Sequence, residues 1–255
     1  MLKDRLDVRI YENRTLMGEA AAKDIASAMR KLLAEKEEIN MIFAAAPSQL
    51  DMLASLCEAE GIAWERVNAF HMDEYVGITH DAPQGFANFL KRYLFDKKPF
   101  KSVNLLNCEA GDAAEECLRY EALLKAYPTD IVCLGIGENG HIAFNDPHVA
   151  KFDDPKRVKV VDLDEKCRNQ QVNDGCFAKI DEVPRYAMTV TIPALVKAPY
   201  LFCVVPAATK ADAVYKTVMG EITEACPASI LRTRENAVLY GDSASGARLP
   251  EEYRV

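Results

Sequence analysis

Two hydrophobic rhythms take turns along this chain, and together they predict its elements. Residues 7–11 (DVRIY) alternate as a half-buried strand does. The helical spacing of Leu16, Ala20, Ile25, Met29, Leu32 and Leu33 then predicts a helix over residues 14–35. Residues 39–45 form a second apolar strand, broken at Pro47, after which Ser48 caps a helix running to about residue 60. Residues 67–72 (VNAFHM) make a third strand that ends directly in Asp73, Glu74 and Tyr75. A loop over 77–84 leads into a short amphipathic helix at 85–94, placed to border or cover a site. A strand at 102–106 and a helix at 112–127, with Ala113, Cys117, Tyr120, Leu123 and Leu124 on one face, deliver the chain to residues 131–134 (IVCL). That continuous apolar run suits an inner parallel strand covered on both faces.

The remaining pattern predicts strands at 158–161, 187–191, 200–205 and 237–240, and helices at 164–173 and from Thr209 to about Met219. Alternation of strand and helix without linker, repeat or low-complexity segment predicts one α/β domain over 1–255 with a mostly parallel sheet. Ligands of such sheets collect beyond the carboxyl ends of the strands. Three of these ends carry candidate chemistry: 45–48, 72–75 and 135–146.

Composition narrows the partners. A formal net charge of -8 argues against nucleic-acid binding by bulk electrostatics, while leaving room for a local pocket for a small anion. The 8 cysteines form no CxxC pair and read as reduced thiols, so the expected location is the cytoplasm. No stretch approaches the roughly 18 apolar residues of a membrane helix. The oligomeric state is left open, a homo-oligomer among the options.

The glycine-rich stretch GIGENG, 135–140, satisfies the GxGxxG spacing of a dinucleotide loop. A helix should begin inside such a loop, yet the residues that follow contain Asn145, Asp146, Pro147 and Pro155. A nicotinamide cofactor is therefore not expected. Gly135, Gly137 and Gly140 instead turn the chain sharply and expose its N–H groups. His141 sits in that turn five residues before Asp146, a carboxylate able to orient an imidazole for acid–base work near neutral pH. No HExxH or Cys/His cluster predicts a metal site. Asp73 and Glu74 read either as a solvated strand end or as one acid entering a cleft while its neighbour faces away. Lys210, at a helix start after Pro206, reads as a phosphate ligand or a surface charge.

The segments FHMDEYVGI (70–78), LGIGENGHIAFNDP (134–147), VPRYAMTVTIPAL (183–195) and TK (209–210) resemble the glucosamine-6-phosphate deaminase/isomerase family. The resemblance runs from about Val67 to Met219. It implies a three-layer α/β/α sandwich, Rossmann-like, and conversion of an amino-sugar phosphate and water to a ketose phosphate and ammonia without redox cofactor or catalytic metal. It makes Asp73 the enediol base, His141 the ring-opening acid and base, and Asp146 its partner, with Asn139 the fourth residue of the catalytic set. Ser48, Gly137, Arg168 and Lys210 become the substrate-binding residues. Three departures stand out: Asn139 where family members carry aspartate, Asp146 in place of glutamate, and AAAPSQ (44–49) in place of a glycine-rich phosphate loop. The related 6-phosphogluconolactonases also carry a histidine in a glycine loop, so hydrolysis of a sugar lactone is the alternative. A sugar-phosphate sensor without catalysis is another.

Overall fold

The computed structural model describes residues Met1–Val255. The chain opens with β1 (Leu2–Lys3), β2 (Leu6–Tyr11), α1 (Arg14–Glu35), β3 (Ile39–Phe43), α2 (Leu50–Cys57) and β4 (Val67–His71). It continues through β5 (Asp73–Tyr75), α3 (Phe86–Leu90), β6 (Ser102–Asn104), α4 (Ala113–Ala126) and β7 (Ile131–Leu134). β8 (Val158–Asp162), α5 (Glu165–Asn173), β9 (Tyr186–Val190), α6 (Ile192–Val196), β10 (Tyr200–Val205), α7 (Ala211–Met219) and β11 (Ala237–Asp242) complete it. Side chains cap three helix starts: Asn13 accepts from Leu16 N, Asp112 from Ala114 N and Glu115 N, and Asp164 from Cys167 N. The cap expected at Ser48 does not form, because Ser48 lies within a 3-10 turn at Pro47–Gln49 and α2 starts without a side-chain cap.

Eight strands form one sheet in the order β1-β2-β11-β10-β7-β3-β4-β6, and every pairing except β1–β2 is parallel. Alternate residues of its strands enter two separate cores. Met41, Phe43, Ile131 and Cys133 face α1 and α2, while Ile42, Val132 and Leu134 face α4 and α7. The cores hold 37 and 36 buried residues, so both faces are equally covered, as a parallel sheet requires. This is the expected three-layer, Rossmann-like α/β/α sandwich. No helix is long and apolar enough to cross a membrane.

The period-2 pattern did not reveal a second sheet. β5, β9 and β8 form a separate antiparallel ribbon. Residues 72–75 thus break away from β4 at Met72 and re-pair, placing Asp73 opposite Thr189. The Thr189 hydroxyl accepts from Phe144 N at 3.0 Å, so this ribbon ties the first acidic segment to the loop after β7.

β3 and β7 are neighbours whose chains leave in opposite directions, β3 toward β4 and β7 toward β10. The crevice beyond their carboxyl ends is where such a sheet accepts a ligand. Nearby, the chain leaves β10 through Ala207, held at φ 84° and ψ 146°, a conformation suited to glycine. Both carboxylate oxygens of Asp242 accept from Ala207 N at 3.1 Å and hold it there, setting the approach of Lys210. Ala207→Gly is expected to stabilise the fold by roughly 1–3 kcal/mol, the strain typical of such a residue. Chemical denaturation would show a higher midpoint at unchanged slope.

Candidate active site

A cavity of about 380 Å³ fills the crevice. Its walls come from the segments after β3, β4, β7 and β10, together with α3 and α5. Asp73, Ser48, Gly137, His141 and Lys210 line it, as the sequence reading places them. Asp146 and Asn139 stand outside the lining, behind His141. Arg168 is not brought to the cavity: its guanidinium donates to the Ile180 carbonyl at 2.6 Å and the Val183 carbonyl at 3.2 Å. Its charge therefore braces the connection into β9. The helical position alone could not separate these two uses of an arginine.

His141 is seated by geometry that only glycine permits at 137. A Cβ there would lie 2.1–2.4 Å from three atoms of the imidazole. Gly140 turns the chain at φ 89°, beyond which His141 N donates to Asn139 Oδ1 at 3.1 Å. His141 Nδ1 lies 2.8 Å from Asp146 Oδ1, at ion-pair distance but without the alignment of a straight hydrogen bond. Nε2 is left without a partner in the chain. No helix follows this loop before α5, so the GxGxxG spacing does not build a dinucleotide site.

Behind the imidazole, Asn139 Nδ2 donates to Asp146 Oδ1 and to Asp164 Oδ2, both at 2.9 Å, and Asp164 N donates to Asp146 Oδ2 at 3.1 Å. Burial pushes the Asp146 carboxyl up, but His141, Asn139 and the Asp164 amide outweigh it, and the group is held below its ordinary range. Asp146 therefore stays anionic beside His141. The amide at 139 accounts for the first departure from the family pattern: an aspartate there would face two carboxylates with no proton to give. His141, Asp146 and Cys167, like Asp146, His148 and Asp164, approach closely enough to share an ion. The Asp146 oxygens, however, are already engaged by His141, Asn139 and Asp164.

The Asp73 side chain is 7% exposed and accepts no hydrogen bond from the chain. Burial, and then the neighbouring Glu74 charge, hold it well above the ordinary carboxylate range. Glu74 faces away, as the alternation of a strand dictates. Its oxygens accept from Tyr75 N at 3.0 Å, Phe86 N at 3.1 Å and Ala87 N at 2.9 Å. It is thus a remote cap for α3, which has no side-chain cap of its own. Burial pushes Glu74 up to about 7 despite these bonds. Lys210 is 4% exposed, its ammonium makes no ion pair or hydrogen bond, and burial pulls that ammonium below the usual lysine range. His71, by contrast, is structural: its Nε2 accepts from Leu106 N at 2.8 Å, and burial holds its pKa down to about 3.

Several lining residues carried no recognisable signal in the sequence, among them Gln49, Gln170, Gln171 and Arg92. Gln49 donates to the Val204 carbonyl and Ser48 Oγ at 3.0 Å, Gln170 accepts from Glu138 N at 2.7 Å, and Gln171 accepts from Tyr75 Oη at 2.8 Å. These amides become part of a site only when the elements beneath them converge.

Comparison with known proteins agrees with this geometry. A family described as glucosamine-6-phosphate isomerases/6-phosphogluconolactonase matches residues 12–240. The chain belongs to that family. It is 34% identical over 237 residues to a glucosamine-6-phosphate deaminase of Bacillus cytotoxicus, covering 93% of this chain and 87% of that protein. A glucosamine-6-phosphate deaminase of Bacillus cereus is 36% identical over 224 residues, covering 86% and 83%. Among solved structures, a monomeric glucosamine-6-phosphate deaminase matches with a TM-score of 0.84 at 27% identity, over 94% of this chain and 99% of that one. A 6-phosphogluconolactonase of Thermotoga maritima shares the fold, with a TM-score of 0.73 at 19% identity over 92% and 99%. The chain is an enzyme of this superfamily.

Two predictions follow from the charges of the site. Asn139→Asp leaves two carboxylates without their shared donor, and is expected to destabilise the protein by about 1–3 kcal/mol at neutral pH. The loss should shrink on acidification, measured by denaturant unfolding. Asp73 is also testable through stability, because a raised carboxyl pKa means that the folded chain holds a proton the unfolded chain releases. Stability from Asp73 and Glu74 is full below their unfolded values of 3.8 and 4.5 and falls as pH rises, for Glu74 through about 7. Asp73→Asn should therefore raise Tm at pH 8, by roughly 2–4 °C per kcal/mol relieved, with little gain near pH 4.

Proposed function

We propose that this protein deaminates and isomerises an amino-sugar phosphate, glucosamine 6-phosphate or a close relative, to the ketose phosphate and ammonia. The observation that carries this reading is a single cavity lined by an unbonded carboxylate, Asp73, an imidazole backed by a carboxylate, His141, and an unpaired ammonium, Lys210. The whole chain, 1–255, serves as one domain.

His141 Nε2 takes the proton of the C1 hydroxyl and delivers one to the ring oxygen, breaking the C1–O5 bond and exposing the aldehyde. Asp146 stabilises the imidazolium formed in between and keeps the ring in one orientation. Asp73 then removes the C2 proton, the C2–H electron pair forming the C1–C2 double bond as the carbonyl oxygen takes a proton from the C2 ammonium to give an enol. Returning that proton to C1 leaves an imine at C2. Addition of water there and cleavage of the C2–N bond give the ketone and ammonia. A carboxylate held above its ordinary range is a stronger base for the C2 proton than a solvated one. Lys210 and Ser48 hold the phosphate, with Gly137 leaving room for the sugar beside the imidazole.

The test is ammonia release by purified protein from glucosamine 6-phosphate and galactosamine 6-phosphate, with opening of 6-phosphogluconolactone followed in parallel. Ammonia from an amino sugar is expected, with kcat down by about 10³-fold or more in Asp73→Asn at retained sugar-phosphate binding. Lys210→Ala should mainly raise KM, by about 10–100-fold. Lactone opening without ammonia would move the chain to the hydrolase branch. Binding without turnover of any of the three would mark a sensor.

A further inference from the structure

Lys210 is a single charge, whereas a sugar phosphate carries about -1.5 to -2 near neutral pH. The segment that would cradle the phosphate, 44–49, carries no charge, and its N–H groups at Ala45, Ala46 and Ser48 are neutral donors. Ala44 N is bonded to the Cys133 carbonyl, Gln49 N to the Ala46 carbonyl, and Pro47 has no N–H to offer. With Arg168 committed elsewhere, the lining contains one other permanent cation, Arg92.

We propose that Arg92 is the second phosphate-binding cation and sets this enzyme's preference for a phosphorylated sugar. The inference rests on the reading above that the substrate is a sugar phosphate. Arg92 is exposed at the cavity wall and enters none of the arginine ion pairs of the chain, which are made by Arg5, Arg9, Arg14, Arg119, Arg232 and Arg248. A guanidinium left free in a chain of net charge -8 is available to an incoming anion. Its place is also built. Residues Lys91–Phe95 form a single π-helical turn, closed by Asp96 N donating to the Lys91 carbonyl at 3.1 Å. Such turns are rare and concentrate at functional sites. Both Arg92 and Tyr93 of this turn line the cavity.

The turn is anchored from both ends. Upstream, the Glu74 carboxylate grips Phe86 N and Ala87 N, tying α3 to the strand residue next to Asp73. Downstream, Phe95 packs edge-on against Phe43 of β3, with ring centroids 5.9 Å apart. Arg92 is therefore presented by a fixed segment, with its side chain exposed. Planar N–H donors suit phosphate oxygens, and they add the charge that the segment at 44–49 does not carry.

Arg92→Ala and Arg92→Lys test this in the full chain. For Arg92→Ala, KM for the amino-sugar phosphate should rise about 10–100-fold with kcat within about 3-fold, and inhibition by inorganic phosphate should weaken in parallel. Arg92→Lys should recover part of both, and Tm should be unchanged because the side chain makes no ion pair or hydrogen bond to lose. Unchanged KM and phosphate inhibition would overturn the proposal, as would a loss of kcat at constant KM. Failure of the functional reading is distinguishable, since it appears as absent ammonia release in the unmutated protein. Calorimetric titration of inorganic phosphate then still decides on Arg92: binding lost in Arg92→Ala supports it, and binding equal in both proteins refutes it.

Discussion

Two ionisable groups of opposite sign, Asp73 and Lys210, are buried in one cavity without a partner from the chain. Burial opposes the charge of each, and the rest of the fold must hold them where solvent would otherwise be preferred. Asp73 is fixed because its strand leaves the large sheet and pairs with β9. Lys210 is fixed because Asp242 clamps the strained Ala207 just before it. Neither arrangement brings a compensating charge closer. In the proposed function, the free energy spent on these unpaired groups is recovered when the substrate supplies a proton to abstract and an anion to neutralise.

The imidazole follows the opposite rule. Every polar atom behind His141 is paired: Asp146 with Asn139 and the Asp164 amide, Asn139 with Asp164, and Asp164 in turn with the first turn of α5. A chain of hydrogen bonds in which each member is satisfied holds one geometry. Replacing the family's aspartate and glutamate by Asn139 and Asp146 alters the members of this network while keeping an anion beside the ring. The departures at 139 and 146 are thus read together, as one repacking of donors and acceptors. The departure at 44–49 is different in kind, for it removes the backbone freedom of glycine and, at Pro47, one N–H, and Arg92 is the cation proposed to complete the site.

Much of the fold was legible because it depends on local periodicity. The helix at Arg14–Glu35 and the strands at Ile131–Leu134 and Tyr200–Val205 match the apolar pattern, since a stripe or run of buried residues has few alternatives. Asp73, His141, Ser48, Gly137 and Lys210 were legible as cavity residues because each follows a strand end or opens a helix. Arg168 was misplaced because a charge on a short helix can turn to solvent, substrate or a carbonyl, and spacing does not choose. Arg92 was invisible as a site residue because a π turn breaks the 3.6-residue rhythm that would assign its face.

By itself, the sequence determined the order of elements, the α/β class and the glycine loop that seats a histidine, all of which follow from residue type and short-range spacing. Only the tertiary structure decided that Asp73 lies in a second, antiparallel ribbon, that Glu74 caps a helix twelve residues away, and that Arg168 turns from the cavity while Arg92 enters its lining. These are pairings between segments far apart in the chain. Their partners are chosen by the shape of the folded core and by which donors remain unsatisfied within it.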